Sequence, residues 1–287
     1  NSTRSDTLSL HDALPILSDR KLYEGGQYTI PSDTVCYPAK LIHGHIEALI
    51  RENTDVIFYP DMSYNIDEKQ GDDHFNCPVV AYYPQVVRWN IPDIKNVKFI
   101  CDFLSLAKPK VFERRIKEIL GKYFPEKDFT AKQISLATKA AYAEYAEYLE
   151  SVRAEGERYI KKAKETGKPV ILLAGRPYHV DPEINHGIHE LICRFGAIVL
   201  SEDSIRPGKE KLVTGVRNQW TYHSRMYNAA KFVANAPENL DIHVVQLVSF
   251  GCGVDAVTTD EVRSIVEKSG RLYAQVKIDE ISNTGAV

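Results

Sequence analysis

Three cysteines are the residues of this chain best suited to chemistry, because each stands in a turn beside proline or glycine. Their local sequences are IPSDTVCYP around Cys36, HFNCP around Cys77 and SFGCGVD around Cys252. A thiolate near the start of a helix is stabilised by the helix dipole and by free backbone N–H groups, which also donate hydrogen bonds to cluster sulfides. Three thiolates that converge from separate turns would hold three irons of a cubane and leave the fourth iron open.

The spacing of the cysteines leaves a second interpretation open. The five cysteines are scattered and include no CxxC pair, so their spacing is a weak metal signal. Isolated buried or reactive cysteines are the alternative to a metal site. Cys193 lies in HELICRFG on an apolar helix face, and Cys101 ends an apolar strand. We therefore expect these two cysteines in the core.

Polar side chains in two further turns are candidate catalytic residues. Arg176 follows the apolar run VILLA, and His179 and His186 lie on either side of the segment DPEIN. The arginine suits a carboxylate or a CoA phosphate, and the histidines suit hydrogen bonding or proton transfer at a cluster or substrate. Hydrogen bonds within turns and helix caps, with Asp181 before Pro182 as an N-cap, are the equally open alternative.

The elements that must place these turns alternate in type along the chain. Apolar runs of strand length occupy residues 56–59, 79–83, 97–101, 170–174, 197–200, 244–248 and 272–276. Helical spacing of apolar residues is found over 38–50, 137–164, 183–195, 218–233 and 255–268. Such alternation predicts an α/β fold with parallel sheets, in which ligands bind beyond the carboxyl ends of the strands.

The same pattern divides the chain into segments. We predict a first α/β domain over 17–108, a charged helical bridge over 109–167 and a second α/β domain over 168–287. Residues 1–16 are set apart, because TLSLHDALPI at 7–16 corresponds to one reading frame of a common short-read sequencing adapter. We expect a non-native tail there, a first domain truncated at its N-terminus and a second truncated at DEISNTGAV. A short amphipathic natural helix is the alternative for the tail.

Composition excludes several classes of protein. The length suits about two domains, and the net charge of −3 with no basic tract argues against a nucleic-acid partner. No apolar run approaches a membrane span, and the odd number of scattered cysteines is typical of a reducing cytosol, so a cytoplasmic location is expected. The chain has neither a GxxxxGK[ST] loop nor a GxGxxG turn after a strand, so we expect no ATP site in it.

Six segments carry a resemblance to a known family: SDTVCYPAKLIHGHIEALI, FYPDMSYN, HFNCPVVAYYP, AGRPYHVDPEINHGI, NQWTYHSRMYNAAKFV and LVSFGCGVDAVTTDEV. From about Lys21 to Val287 the chain resembles the large proteins related to 2-hydroxyacyl-CoA dehydratase activators. Those proteins join ATPase activator domains to a region similar to a dehydratase subunit. The resemblance implies two flavodoxin-like, doubly wound parallel-sheet domains joined by a helical segment, with an iron–sulfur cluster between them.

The same resemblance implies ligands and a cluster type. Cys36, Cys77 and Cys252 match the cysteines that hold the iron–sulfur cluster in the family. Many relatives have a further cysteine where this chain has Asp61 in FYPDMSYN. A single 4Fe–4S cluster with three protein thiolates is therefore the expected cofactor, in preference to a larger double cluster.

The resemblance also implies a function, which is ATP-driven delivery of low-potential electrons. Expected partners are ATPase activator domains, upstream in the same chain or separate, and an acyl-CoA or other small substrate. Two enzyme classes stay open, a 2-hydroxyacyl-CoA dehydratase-like lyase and an ATP-dependent reductase. The rival hypothesis is a cluster-free binding or scaffolding domain that docks an ATPase activator. An ordinary cofactor-binding enzyme is disfavoured by the missing glycine fingerprint.

Overall fold

The computed structural model describes residues 16–209, 211–249 and 251–280 of the chain. Almost all of the predicted tail, residues 1–15, lies outside the described residues, and so do residues 281–287 within DEISNTGAV. The hypotheses of a non-native tail and of two truncated ends stay predictions.

Within these ranges the chain folds into eight α-helices and eight strands, with four short 3-10 helices between them. The α-helices are α1 (Arg20–Gly26), α2 (Tyr37–Arg51), α3 (Pro78–Asn90), α4 (Pro109–Tyr123), α5 (Ala131–Thr166), α6 (Ile188–Arg194), α7 (Thr221–Ala234) and α8 (Gly253–Glu267). The strands are β1 (Val56–Phe58), β2 (Asp61–Met62), β3 (Lys98–Ile100), β4 (Phe103–Leu104), β5 (Val170–Ala174), β6 (Ile198–Ser201), β7 (Ile242–Ser249) and β8 (Tyr273–Ile278). Mixed helices and parallel strands make this an α/β fold.

A four-stranded parallel sheet forms the centre of the second region, residues 168–280. Its strand order is β6-β5-β7-β8, and Leu172 of β5 pairs with Leu200 of β6 and Val244 of β7. One face of the sheet is covered by α5, α7 and α8, whose residues Ala163, Met226 and Val262 pack on it. The unbroken apolar runs of the central strands are typical of strands buried on both faces.

Helices of the first region, residues 16–108, cover part of the other face of this sheet. Tyr23 of α1 and Tyr37 and Leu41 of α2 belong to one buried cluster with Leu173 of β5 and Leu247 of β7. Ile184 and Ile188 of the second region complete that cluster. We call it the shared core, because residues of both regions form it.

The first region also has a core of its own, built on short strands. β1 pairs with β3 and β2 with β4, both in parallel, so the described strands here form two two-stranded pairs. The prediction of a strand over 79–83 was wrong, because these residues belong to α3. Tyr83, Val87 and Ile91 recur every four residues and all point into the core with Phe99. Pro78 at the first helical position favours this helix.

The segment between the two regions consists of helices α4 and α5. A capping box between Thr130 and Gln133 begins α5, and Gly167 ends it with a left-handed φ of 66°. The C-terminal part of α5 packs on the second-region sheet through Ala163. In the described part of the chain, no helix combines the length and the apolar character that a membrane crossing needs.

Candidate functional site

The order of strands creates a crevice at the carboxyl end of the second-region sheet. The chain passes from β5 to β6 on one side, and then returns to place β7 on the other side of β5. At such a switch point the connections after neighbouring strands turn away from each other and leave room for a ligand. Arg176 follows β5 and Cys252 follows β7, so the two residues meet at this crevice.

The three predicted cysteines share one structural position. Cys36 is the N-cap of α2, Cys77 the N-cap of α3 and Cys252 the N-cap of α8, and all three have extended backbone conformations. All three side chains are half-buried. The sulfur of Cys77 accepts a hydrogen bond from the Val80 N–H at 3.5 Å. Each thiol therefore lies at the positive end of a helix dipole. The sequence predicts a following helix for Cys36 and Cys252, whereas it predicts a strand after Cys77.

The three thiols lie within electrostatic reach of one another. Burial raises the pKa of the Cys36 thiol, and the charges of Cys77 and Cys252 raise it further. Burial likewise raises the pKa of the Cys77 thiol. Backbone N–H groups and the charge of Arg176 act in the opposite direction on both thiols. Because the neutral thiols are favoured, metal binding at this site would release protons.

Arg176 is buried beside Cys252, with 3 % of its surface exposed. Its guanidinium binds the Asp255 carboxylate through both Nη atoms, and Nη2 also donates to the Ser249 hydroxyl at 3.3 Å. Nη1 lies 3.9 Å from the sulfur of Cys252. The carboxylate that this arginine binds is thus one of the chain's own, and the arginine presents almost no surface to a CoA phosphate.

His179 and His186 lie near the crevice but have turn contacts. Nδ1 of His179 accepts the Arg176 backbone N–H at 3.2 Å, and burial lowers the pKa of His179 well below its ordinary value. The His186 ring contacts the Asp279 carbonyl at 2.6 Å and stacks on Tyr37. Asp181 accepts the Glu183 N–H at 2.9 Å. These contacts agree with the cap and turn interpretation, and a catalytic role for either histidine stays a hypothesis.

Two residues near the site are not among the site residues predicted from the sequence. Asp255 lies in the first turn of α8, three residues after Cys252, and its pairing with Arg176 joins residues 79 positions apart. His223 is 2 % exposed, and neither ring nitrogen has a hydrogen-bond partner among the described residues. Burial and the charge of Arg176 lower the pKa of His223 to about 3. The signal that could have found Asp255 is its position as the acidic residue of SFGCGVD, in the same turn as Cys252.

Two cavities adjoin the cysteines. One has a volume of about 750 Å³, includes Cys36 and Cys77 in its wall, and is otherwise lined mainly by apolar and aromatic side chains such as Tyr59, Met62 and Tyr178. Its described lining contains the acidic Asp181 and no lysine or arginine. The other cavity, of about 560 Å³, is more polar and includes Cys252 with Asp255, Thr259 and Arg263. The thiols therefore face both an apolar and a polar space.

The cysteines can be tested as ligands of an iron–sulfur cluster. Across residues 16–209, 211–249 and 251–280, no three His, Cys, Asp or Glu side chains are gathered to hold one metal ion. A four-iron cluster does not require such a gathering, because each thiolate binds a different iron. Soft thiolate donors at three helix N-termini match the chemistry of such a cluster. The donor set therefore fits the cofactor that the resemblance implies.

The other two cysteines have different surroundings. Cys101 is 2 % exposed, and its sulfur lies 3.4 Å from Nη1 of Arg88. Its predicted core position is correct. Cys193 is exposed, so the prediction that it belongs to the core was wrong. Helix α6 has seven residues and buries Ile188 at its start, which leaves Cys193 near its end in solvent.

Fold and site together define an α/β protein with three cysteines at helix N-cap positions, one of which, Cys252, follows a strand of the parallel sheet. The family model described as the CoA enzyme activase uncharacterised domain (DUF2229) matches residues 8–205, and the chain belongs to this family. This result confirms the resemblance to dehydratase activators. The matched range includes Cys36, Cys77 and Arg176 and ends before Cys252. Comparisons with curated proteins and with solved structures found no match.

Proposed function

We propose that this chain is the iron–sulfur component of an ATP-driven, low-potential electron-transfer system related to 2-hydroxyacyl-CoA dehydratases and their activators. Membership of the activase family indicates a role related to acyl-CoA dehydratase activation. The observation that carries the finer proposal is the position of three cysteines at three helix N-termini, within the electrostatic reach of one buried guanidinium.

In this proposal Cys36, Cys77 and Cys252 hold a 4Fe–4S cluster. When bound, such a cluster supplies one-electron transfer at low potential. The chain's contribution is to present three thiolates at helix starts, where backbone N–H groups donate to sulfur. The apolar cavity beside Cys36 and Cys77 limits water on that side of the site.

The apolar cavity is also the proposed place for a small substrate. Its volume of about 750 Å³ is within the usual range of small-molecule sites, about 300–1,000 Å³. An acyl group matches its lining, whereas the phosphates of a CoA carrier would lie outside, because the described lining offers no cation. The partner that supplies electrons is an ATPase activator. Two flavodoxin-like domains over 17–108 and 168–287 remain part of the proposal, supported by the parallel strands in both.

Anaerobic reconstitution tests the cluster. The purified chain is loaded with iron and sulfide, and both are quantified per chain together with the visible absorbance. Replacing Cys36, Cys77 or Cys252 by alanine should abolish the chromophore. The matched control is Cys193→Ala, which removes an exposed thiol and should keep it. A triple alanine variant that still binds iron and sulfide stoichiometrically would refute the ligand assignment. An iron-free wild-type chain that binds an ATPase activator would favour the scaffolding hypothesis.

A further inference from the structure

The buried ion pair at the site has an unusual position. Arg176 and Asp255 are both 3 % exposed, and Asp255 also accepts the Ser249 backbone N–H at 2.8 Å. The arginine comes from the turn after β5 and the aspartate from the first turn of α8. Nη1 of Arg176 lies 3.9 Å from the Cys252 sulfur. Arg176 is thus in direct contact with one thiol, and its charge acts on the other two.

Stability alone is a poor reason for this pair. Two charges lose their hydration when they are buried, and a buried ion pair is often no more stabilising than apolar side chains of similar volume. Nε of Arg176 is buried and has no hydrogen-bond partner among the described residues, which adds to the cost. Packing alone does not explain why two charged side chains are buried here, whereas an electrostatic effect on the thiols does.

We propose that Arg176 and Asp255 are positioning residues that set the reduction potential of the group bound at the three cysteines, in opposite directions. This inference rests on the proposed function. Reduction adds one negative charge to the bound cluster. A buried cation nearby stabilises the reduced state and raises the potential, whereas a buried anion lowers it. Asp255 therefore offsets Arg176 and keeps the bound cluster a strong reductant.

Single substitutions of the pair separate this role from a structural one. Arg176→Gln and Asp255→Asn are made in the full chain, and each protein is reconstituted anaerobically. The midpoint potential is measured by a redox titration followed by electron paramagnetic resonance. Arg176→Gln should lower the midpoint potential and Asp255→Asn should raise it. A merely structural pair predicts that both variants lose thermal stability and that neither moves the potential in this opposed way.

Two further variants keep the test decisive if a single substitution prevents folding or cluster loading. Arg176→Lys retains the positive charge and should hold the midpoint closer to the wild type than Arg176→Gln does. The double variant Arg176→Gln with Asp255→Asn removes both charges and should restore the potential toward the wild-type value. A double variant with the same potential as Arg176→Gln alone would overturn the proposal.

A matched control is offered by the ion pair of Arg225 and Glu68. Their side chains are 7 % and 13 % exposed, and Arg225 also donates to the Tyr145 hydroxyl at 3.3 Å. Arg225→Gln and Glu68→Gln should lower thermal stability and leave the midpoint potential unchanged. A wild-type chain that holds no iron and sulfide overturns the proposed function and this inference together. A loaded wild type with unmoved midpoints in the Arg176 and Asp255 variants overturns this inference alone.

Discussion

The two regions of the molecule bury their strands in different ways. The second region has a continuous four-stranded sheet covered on both faces, whereas the first has two short strand pairs and relies on helices. Helices α1 and α2 of the first region nevertheless pack on the second-region sheet and form part of the shared core. Tyr37, which is 1 % exposed in that core, directly follows Cys36. The position of Cys36 relative to Cys252 is therefore set by packing between the regions.

The largest expected effect comes from weakening the shared core. Leu41→Ala removes a side chain that is 2 % exposed on α2. A loss of about 2–5 kcal/mol in the free energy of unfolding is expected, because a cavity is left where both regions pack. Urea unfolding followed by fluorescence and circular dichroism should show one cooperative transition at lower urea. The exposed Leu136→Ala on α5 is the control. Two separate transitions in the wild type would contradict a shared core.

A pH-dependent effect on stability should come from one buried carboxyl group of the second region. Burial raises the pKa of Glu202 from 4.5 to about 8, with Asp203 adding to the shift. The raised pKa contributes stability that is present below pH 4.5 and is lost as the pH rises through about 8. Between these values the loss from this group approaches roughly 1.4 kcal/mol per pH unit.

Glu202→Gln tests this dependence, since it removes the ionisation and retains an acceptor for the Gly175 N–H. The variant's free energy of unfolding should fall less steeply than that of the wild type between pH 5 and 8. The exposed Glu238→Gln serves as the control. If the free energy of unfolding of Glu202→Gln and of the wild type changes with pH in parallel, the raised pKa of the buried Glu202 carboxyl is disproved.

A third prediction concerns the contact between α1 and α2. A Cβ at Gly44 would lie 2.1 Å from the Leu22 carbonyl oxygen, so the two helix backbones touch there. Gly44→Ala should lower the free energy of unfolding by about 1–3 kcal/mol, because the backbone must move. Gly121 of α4 has open space at the same position. Gly121→Ala should instead raise stability by about 0.5–1 kcal/mol. Chemical denaturation of both variants measures these changes. A Gly44→Ala variant that is more stable than the wild type would exclude the close contact between α1 and α2.

The smallest expected effect is the loss of one hydrogen bond between the regions. The Tyr37 hydroxyl donates to Glu183 at 2.7 Å. Tyr37→Phe keeps the ring in the shared core and should cost about 1 kcal/mol. Thermal unfolding of this variant is compared with that of Tyr148→Phe, whose side chain is exposed on α5. Equal melting temperatures for the two variants would show that the hydrogen bond contributes nothing.

Much of the second region was predictable from the chain. The apolar runs at 170–174, 197–200 and 244–248 overlap β5, β6 and β7, since strands covered on both faces need apolar residues at every position. The run at 79–83 misled, because five apolar and aromatic residues suit a buried helix as well as a strand. The cap formed by Cys77 and Pro78 decides for the helix.

The candidate site was predictable only in part. Cys36, Cys77 and Cys252 were singled out because each stands in a turn and matches a cysteine of the family. Only Cys36 and Cys252 were placed before a predicted helix, whereas Cys77 was placed before a predicted strand that is helix α3 in the structure. The exposed position of Cys193 was missed, because the periodicity of a short helix does not show which turns the neighbouring elements cover. The unpartnered nitrogens of His223 depend on packing around α7, which no local pattern reports.

The sequence by itself determined the α/β class, because that class depends on the local spacing of apolar residues. The activase family followed from the match of the chain's segments to that family, and the same match singled out the three candidate cysteines. Tertiary structure alone decided that Asp255 neutralises Arg176 and that α2 of the first region packs on the sheet of the second. The physical reason is that burial and charge pairing arise between residues far apart in sequence. The local periodicity of a sequence does not predict which distant side chains will be buried together and paired away from water.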